Sequence, residues 1–392
     1  MIEDITHFSF PTTISFGPGA IKELPECMKE VGIKKPLVIT DPGLKKAGVY
    51  HTVENILKRS AIKYTLFADV QPNPYDTDVE KAAGIYISSA CDGVIGLGGG
   101  SSLDVAKALP VLTANGGPLT RYDVQTGGNM QIKGPLSPMI AIPTTAGTGS
   151  EVGRCSVITA SSFQRKFMIC HPLMMPDMAI LDPELTTGLS PLLTACTGMD
   201  ALTHNIEALV VKVFHPMCDA IALKGVELAA QYLERAVRYP ADTKARGYMM
   251  IAAMMGAVAL QKDLGATHSL AHALSTVCNM QHGLANALCI ATVMEYNKNV
   301  SAPEYVKVAR CLGINTFGRP DIEAADRAIE SVTYLVRRIG IPGSLKEAGV
   351  KEDQLPELAA KAFEDGCHLT NPRPCNEGDL LALFKKAYKG EI

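Results

Sequence analysis

Asp200 and His204 lie four residues apart in TGMDALTHNIEA, and His268 and His272 repeat that spacing in GATHSLAHALST, so each pair projects from one face of a helix on successive turns. His282-Gly283 follows closely, which gathers four of the nine histidines and an aspartate in apolar segments. A single histidine on an apolar face is usually a hydrogen-bonded core residue. Five polar groups on buried faces would each need a partner, whereas one divalent cation satisfies them together. A dication, one carboxylate and three neutral imidazoles sum to a single positive charge, which a bound alkoxide neutralises. The chemistry implied is Lewis-acid catalysis at an open ligand position, lowering the pKa of a coordinated alcohol or polarising an aldehyde carbonyl. Water in the same position would give hydrolysis, and the ligands alone leave that open.

Two glycine-rich segments bear on the choice. The strand VIGLG runs into Gly98-Gly99-Gly100-Ser101, with Asp104 and Lys107 on the helix beyond, so free N–H groups at a helix start would face a pyrophosphate. A plain tight turn explains one such run equally well. After the strand IAIP comes Thr144-Thr145-Ala146-Gly147-Thr148-Gly149-Ser150-Glu151, a dense set of short donors for phosphate and ribose oxygens. Two such loops after buried strands suggest one elongated nucleotide at the carboxyl ends of the strands, and a nucleotide favours hydride transfer over hydrolysis. Asp41 closes the strand LVIT and opens the turn Asp41-Pro42-Gly43. It is a turn former on local grounds, but beside a nucleotide its carboxylate would accept both ribose hydroxyls and repel a 2′-phosphate, favouring NAD over NADP.

The elements that must position these residues fall into two halves of the 392-residue chain. Up to about Leu189, LVIT (37–40), YTLF (64–67), VIGLG (94–98) and IAIP (140–143) read as strands alternating with helices such as 44–59 and 77–90, an α/β pattern with a parallel sheet. Beyond Pro191 alanine-, leucine- and methionine-rich segments predict an all-helical second half. We expect an α/β dinucleotide-binding domain over 1–188 and an all-helical metal-binding domain over 189–392, packed around a cleft. The 37 basic and 40 acidic side chains nearly cancel, which argues against a nucleic-acid partner. The apolar stretch 249–260 would span about 18 Å as helix against a bilayer core of about 30 Å, so it reads as a buried core helix and not a membrane span. The first twenty residues show neither a basic leader nor an apolar h-region, and the eleven cysteines contain no C-x-x-C pair; reduced thiols in a cytosol are expected.

GGGSSLDVAK, PTTAGTGSEV, the Asp200–His204 segment and HSLAH followed by HGLANA resemble the iron-containing (group III) alcohol dehydrogenases, a group with lactaldehyde reductases, propanediol dehydrogenases and butanol dehydrogenases, over essentially the whole chain. The resemblance implies an N-terminal α/β nucleotide domain, a helical C-terminal domain and a metal at the bottom of the cleft between them. It implies Asp200, His204, His268 and His282 as ligands to iron(II), although zinc would suit the same donors, and His272 near the nicotinamide as a proton relay or substrate-positioning group. The NAD contacts it implies fall on Asp41, Asn73, Gly99, Gly100, Ser101, Asp104, Thr144, Thr145, Thr148 and Lys166. A cytoplasmic homodimer or larger homo-oligomer acting on a small alcohol or aldehyde is the corresponding expectation.

The chain departs from the family pattern at Leu288-Cys289-Ile290-Ala291, where a proline is usual, and at Gly153-Arg154. Arg154 is either a surface or interdomain residue or meets an anionic substrate group. A lyase resembling 3-dehydroquinate synthase would share scaffold, cofactor and metal, but its phosphate site is rich in basic residues, and this chain offers chiefly Lys212, Lys224 and Lys262 around the histidines. A scaffold protein without catalysis would have no need of the full ligand set.

Overall fold

The buried β-branched runs of the first half become the strands of a parallel sheet in a computed structural model that describes residues 12–162 and 165–391. The strands are β1 (Thr13–Phe16), β2 (Pro36–Ile39), β3 (Thr65–Phe67), β4 (Gly93–Gly98), β5 (Met139–Pro143), β6 (Cys155–Ala160), β7 (Arg165–Cys170) and β8 (Met178–Leu181). Six of them form one sheet in the order β1-β8-β5-β4-β2-β3, every pair parallel, with Val38 opposite Ile95 and Ile95 opposite Ile140. Every residue of β2, β4, β5 and β8 is buried, as a parallel sheet covered on both faces requires. The flanking helices are α1 (Leu24–Val31), α2 (Pro42–Lys46), α3 (Val49–Arg59), α4 (Asp76–Ser88) and α5 (Gly100–Asn115).

Two expectations are corrected in this half. The helix read over 44–59 is two helices, because Gly48 takes a left-handed conformation (φ 84°) between α2 and α3. The thiols are not all reduced: Cys155 and Cys170 form a disulfide across the antiparallel hairpin β6–β7, where the strand register sets them directly opposite each other. A separation of 15 residues carries no local motif, and only the pairing brings the sulfurs together. The sequence reading contains none of β1, β6 and β8. Residues 1–11, part of the segment in which no leader is expected, lie outside the described residues.

Chain contacts divide the described residues into two compact units, 12–145 with 149–188 and 146–148 with 189–391. The second unit consists of α6 (Pro191–Val210), α7 (Pro216–Arg238), α8 (Thr243–Ala259), α9 (Ala266–Cys278), α10 (His282–Cys311), α11 (Asp321–Arg338), α12 (Leu355–Glu364) and α13 (Glu377–Lys389). Its core is built from alanine, leucine, valine and methionine of these helices, Met199, Leu202, Leu233, Met249, Leu270 and Val293 among them. Helix α6 is buried along nearly its whole length. Asn205 pins it to α8, its Nδ2 donating to the carbonyls of Ala201 (2.7 Å) and Ala252 (2.9 Å). The run Leu288–Ala291, where the family pattern usually has a proline, is continuous helix inside α10. Among the described residues no helix is long and apolar enough to cross a membrane.

Candidate metal centre and nucleotide loops

Three helices of the second unit carry the histidine constellation. Helix α6 presents Asp200, His204 and Glu207 at successive turns, α9 presents His268 and His272, and α10 begins at His282. Asp200, His204 and His268 are buried, while the His282 side chain keeps 28% of its surface exposed and His272 17%. One oxygen of Asp200, Oδ1, lies 3.7 Å from Nε2 of His204, 3.8 Å from Nε2 of His268 and 3.4 Å from Nε2 of His282. The four ligand atoms all fall within 4.8 Å of one another. These separations are too long for hydrogen bonds. They approach the ligand-to-ligand edge of about 3.4 Å that a tetrahedron with bonds of about 2.1 Å requires. The residues therefore fit a divalent cation.

The groups behind the ligands were not singled out from the sequence. Glu207, fully buried, accepts from the backbone N–H of Thr267 (2.7 Å) and Gly265 (3.0 Å), and its Oε2 lies 2.6 Å from Nδ1 of His268. Burial opposes its charge, but the hydrogen bond and charge of His268 with the two N–H groups hold its carboxyl below the usual range. Asn286 donates from Nδ2 to Asp200 Oδ1 (2.7 Å). Asp365 does for His272 what Glu207 does for His268: its Oδ2 lies 2.8 Å from Nδ1 of His272, and Oδ1 accepts from Ser269 Oγ (2.8 Å) and the Cys367 N–H (2.9 Å). Burial would raise Asp365, yet His272 and these donors hold it well below the carboxylate range.

Burial depresses His204, which keeps it a neutral donor. It would depress His268 too, but the hydrogen bond and charge of Glu207, with Asp200 and Asp365 behind, raise it instead. A proton and a cation therefore compete for the same Nε2. Glu207 also changes the charge count made from the sequence. With two carboxylates against a dication, the buried centre is neutral before any alkoxide arrives. His268 stands in the first turn of α9 and His282 opens α10, so two positive helix ends help to hold that negative charge.

The predicted nucleotide residues mostly gather at one end of the sheet in the first unit. Connections run in opposite senses from the adjacent strands β2 and β4, leaving a switch point outside their carboxyl ends. Asp41 follows β2, Gly99 to Ser101 follow β4, and Thr144 and Thr145 follow β5. Gly98 has φ 152° and lies so near Ser102 that a Cβ would come within 2.6 Å of its side chain. No side chain caps the first turn of α5. Ser101 donates from Oγ to the Pro72 carbonyl (2.6 Å), which ties the loop of Asn73 to the glycine run. The Thr159 N–H donates to the Pro74 carbonyl (2.8 Å), which ties that loop to the hairpin where Lys166 sits opposite Thr159.

Three of the predicted residues are placed differently. Asp41 caps α2, accepting from the Leu44 N–H (3.0 Å). Both oxygens of Asp104 are engaged locally, Oδ1 accepting from Ser150 Oγ (2.7 Å) and Oδ2 from the Val157 N–H (3.0 Å), with Lys107 Nζ 3.3 Å away. Thr148 belongs to the second unit with Ala146 and Gly147. Arg154 is exposed.

Beside Asp104, the buried Glu151 is pushed up to about 7 by desolvation, with Lys107 and its backbone hydrogen bond pulling the other way. An acid whose folded value exceeds its ordinary 4.5 binds its proton more tightly in the folded state, so its contribution is complete below 4.5 and is lost as pH rises through about 7. Glu151→Gln should therefore gain on the native protein between pH 5 and pH 8, by up to about 3 kcal/mol at roughly 1.4 kcal/mol per unit. Urea midpoints at both pH values measure this, and an unchanged difference would refute the assignment.

Comparison with known proteins agrees over the whole length. Residues 11–183 match the model of the iron-containing alcohol dehydrogenases, and residues 194–388 match that of the Fe-containing alcohol dehydrogenase family, C-terminal. The chain belongs to the iron-containing alcohol dehydrogenase family. It is 36% identical to an NAD-dependent methanol dehydrogenase of Bacillus methanolicus, over 98% of this chain and 100% of that one. It is equally identical to a 1,3-propanediol dehydrogenase of Klebsiella pneumoniae, over 96% of this chain and 97% of that one. The crystal structure of a 1,3-propanediol oxidoreductase matches with a TM-score of 0.94 at 35% identity, covering 98% of this chain and 100% of that one. The chain is thus an oxidoreductase of the alcohol dehydrogenase class, and both family models name that class rather than the lyase.

Proposed function

We propose that this iron-containing alcohol dehydrogenase interconverts a small alcohol and its aldehyde with NAD, holding iron(II) on Asp200, His204, His268 and His282. The observation that carries the metal reading is the convergence of three Nε2 atoms on one Asp200 oxygen at 3.4 to 3.8 Å. When bound, the cation supplies a Lewis acid for the substrate oxygen and NAD supplies the hydride acceptor. His272 holds its Nδ1 against Asp365 and keeps the other ring nitrogen for the proton that the alcohol gives up. Its partial exposure suits a group that passes this proton to water. The uncapped start of α5 takes the pyrophosphate, and the hydroxyls of Ser101, Thr144 and Thr145 with Asn73 and Lys166 hold the remaining polar groups of the cofactor. Asp104 braces the loop through Ser150. A cytoplasmic homo-oligomer is part of the reading and rests on the family resemblance.

The test is a panel of short alcohols and aldehydes, offered with NAD and NADP after loading with iron, zinc, manganese or cobalt. Turnover of reduced nicotinamide with at least one metal is expected; silence across the whole panel would sink the proposal. Within it, Asp41→Gly should narrow the preference for NAD over NADP, because the carboxylate that repels a 2′-phosphate is gone. Glycine at a helix cap costs only a few tenths of a kcal/mol relative to aspartate, so loss of the Leu44 hydrogen bond leaves the fold in place. An unchanged ratio of kcat/KM for the two cofactors would remove Asp41 from the site.

A further inference from the structure

We propose that Glu207 is the positioning residue of the metal centre: its carboxylate fixes the His268 tautomer that turns a lone pair toward Asp200, and joins that ligand to the start of α9. The inference rests on the four-ligand reading above. Three donors converge on this one carboxylate, the N–H groups of Thr267 and Gly265 and the Nδ1 of His268 at 2.6 Å. The Glu207 side chain is 3% exposed, so water does not compete. An ionised carboxylate only accepts, so the ring hydrogen must sit on Nδ1 and the lone pair on Nε2, the atom 3.8 Å from Asp200 Oδ1. The opposite tautomer would set a lone pair against the carboxylate.

His204 has no carboxylate behind it: among the described residues its buried Nδ1 makes no hydrogen bond of ordinary geometry, and the Gly147 backbone is the polar group beside the ring. Glu207 therefore fixes one imidazole by charge, while its neighbour, stacked at 4.8 Å, is held by packing and by the neutral Gly147 backbone. The same oxygens satisfy the open N–H groups at the start of α9, so the helix start and the ligand orientation are one joint.

An amide in place of the carboxylate cannot serve three donors. Whichever way the amide of Glu207→Gln were seated, its NH2 would face either the Thr267 N–H or the Gly265 N–H and His268 Nδ1 together. Moving the His268 hydrogen to Nε2 relieves the clash at the ring and removes the lone pair from the metal. Glu207→Gln should accordingly weaken zinc binding by roughly 10- to 100-fold in competition with a chelator, the range seen when an outer partner of a ligand is lost. Glu207→Asp keeps the acceptors one methylene short and should recover part of it.

The deciding readout is the side-chain NMR spectrum of zinc-loaded protein with 15N-labelled histidine, His268 being assigned by its loss in His268→Gln. The native protein should show an Nδ1-bound hydrogen far downfield, protected from exchange, and Glu207→Gln should lose that signal. Zinc affinity within twofold of the native value, with the signal unmoved, would leave Glu207 as a helix cap only. If the variant does not fold, the native spectrum decides alone, because absence of a protected Nδ1 hydrogen on His268 overturns the proposal. Failure of the native chain to bind zinc would instead overturn the four-ligand reading.

Discussion

Asp200→Asn should abolish metal retention and, with it, dehydrogenase activity, while leaving the fold intact. Asp200 is the one anionic group among the four ligands, and its Oδ1 stands between all three Nε2 atoms. Asparagine has the same shape, and its carbonyl oxygen can still accept from Asn286 Nδ2, a hydrogen bond that ties this side chain to α10. The substitution therefore removes a charge and little else. A dication facing only the Glu207 carboxylate, one ring away, would keep an uncompensated charge in a buried site, which is far costlier than a neutral polar group there. Removing an outer partner of a ligand costs roughly 10- to 100-fold in affinity, so losing a ligand that carries half the neutralising charge should exceed the upper figure. Metal content after dialysis and chelator competition measure the effect, with urea unfolding as the control for folding. Stoichiometric metal in Asp200→Asn would mean that the cation sits elsewhere.

What the sequence made legible follows the reach of local periodicity. Asp200–His204 and His268–His272 announce themselves because a helix repeats its face every three to four residues, and the glycine loops because they follow buried strands. The same periodicity extended three residues to Glu207 would have shown a third acid or base on the α6 stripe. Asp365 had no such signal, since it meets His272 across 93 residues of chain. Strand β8, the run MAIL, has no alternation to distinguish a buried strand from a piece of buried helix, and four residues are too few to arbitrate. In the hairpin the alternation is visible, buried at every second residue of β6, but the Cys155–Cys170 bond follows from register, which pairs residues that no spacing rule connects. Gly48 is the opposite case: the punctuating residue was present between two helical runs, and the continuous amphipathic pattern around it outweighed it.

Gly283→Ala is expected to harm metal binding and stability together, although it adds one methyl group next to a ligand that it does not touch chemically. A Cβ at this position would lie 2.1 Å from the Cys196 carbonyl oxygen, 2.6 Å from its carbon and 3.3 Å from Asp200 Cβ. The first two are backbone atoms of α6 and cannot rotate away, so α10 itself must move off α6 by on the order of 1 Å to reach ordinary contact. The residues that shift with it are His282, whose Nε2 is 3.4 Å from Asp200 Oδ1, and Asn286, whose Nδ2 is 2.7 Å away. Both contacts cross from α10 to α6, and both open in the same direction. Overpacking of this kind costs about 1–3 kcal/mol, against which the better helix propensity of alanine offsets at most about 1 kcal/mol. The urea midpoint of the apoprotein should fall and zinc affinity should fall with it. Gly84→Ala is the matched control, because Gly84 is exposed in α4 with nothing within 4 Å of its Cβ position, so only the propensity gain remains and stability should rise slightly. Should Gly283→Ala bind zinc as tightly as the native chain, α10 would have room to yield without parting His282 from Asp200, and close packing of α10 on α6 would not be what brings the fourth ligand into reach.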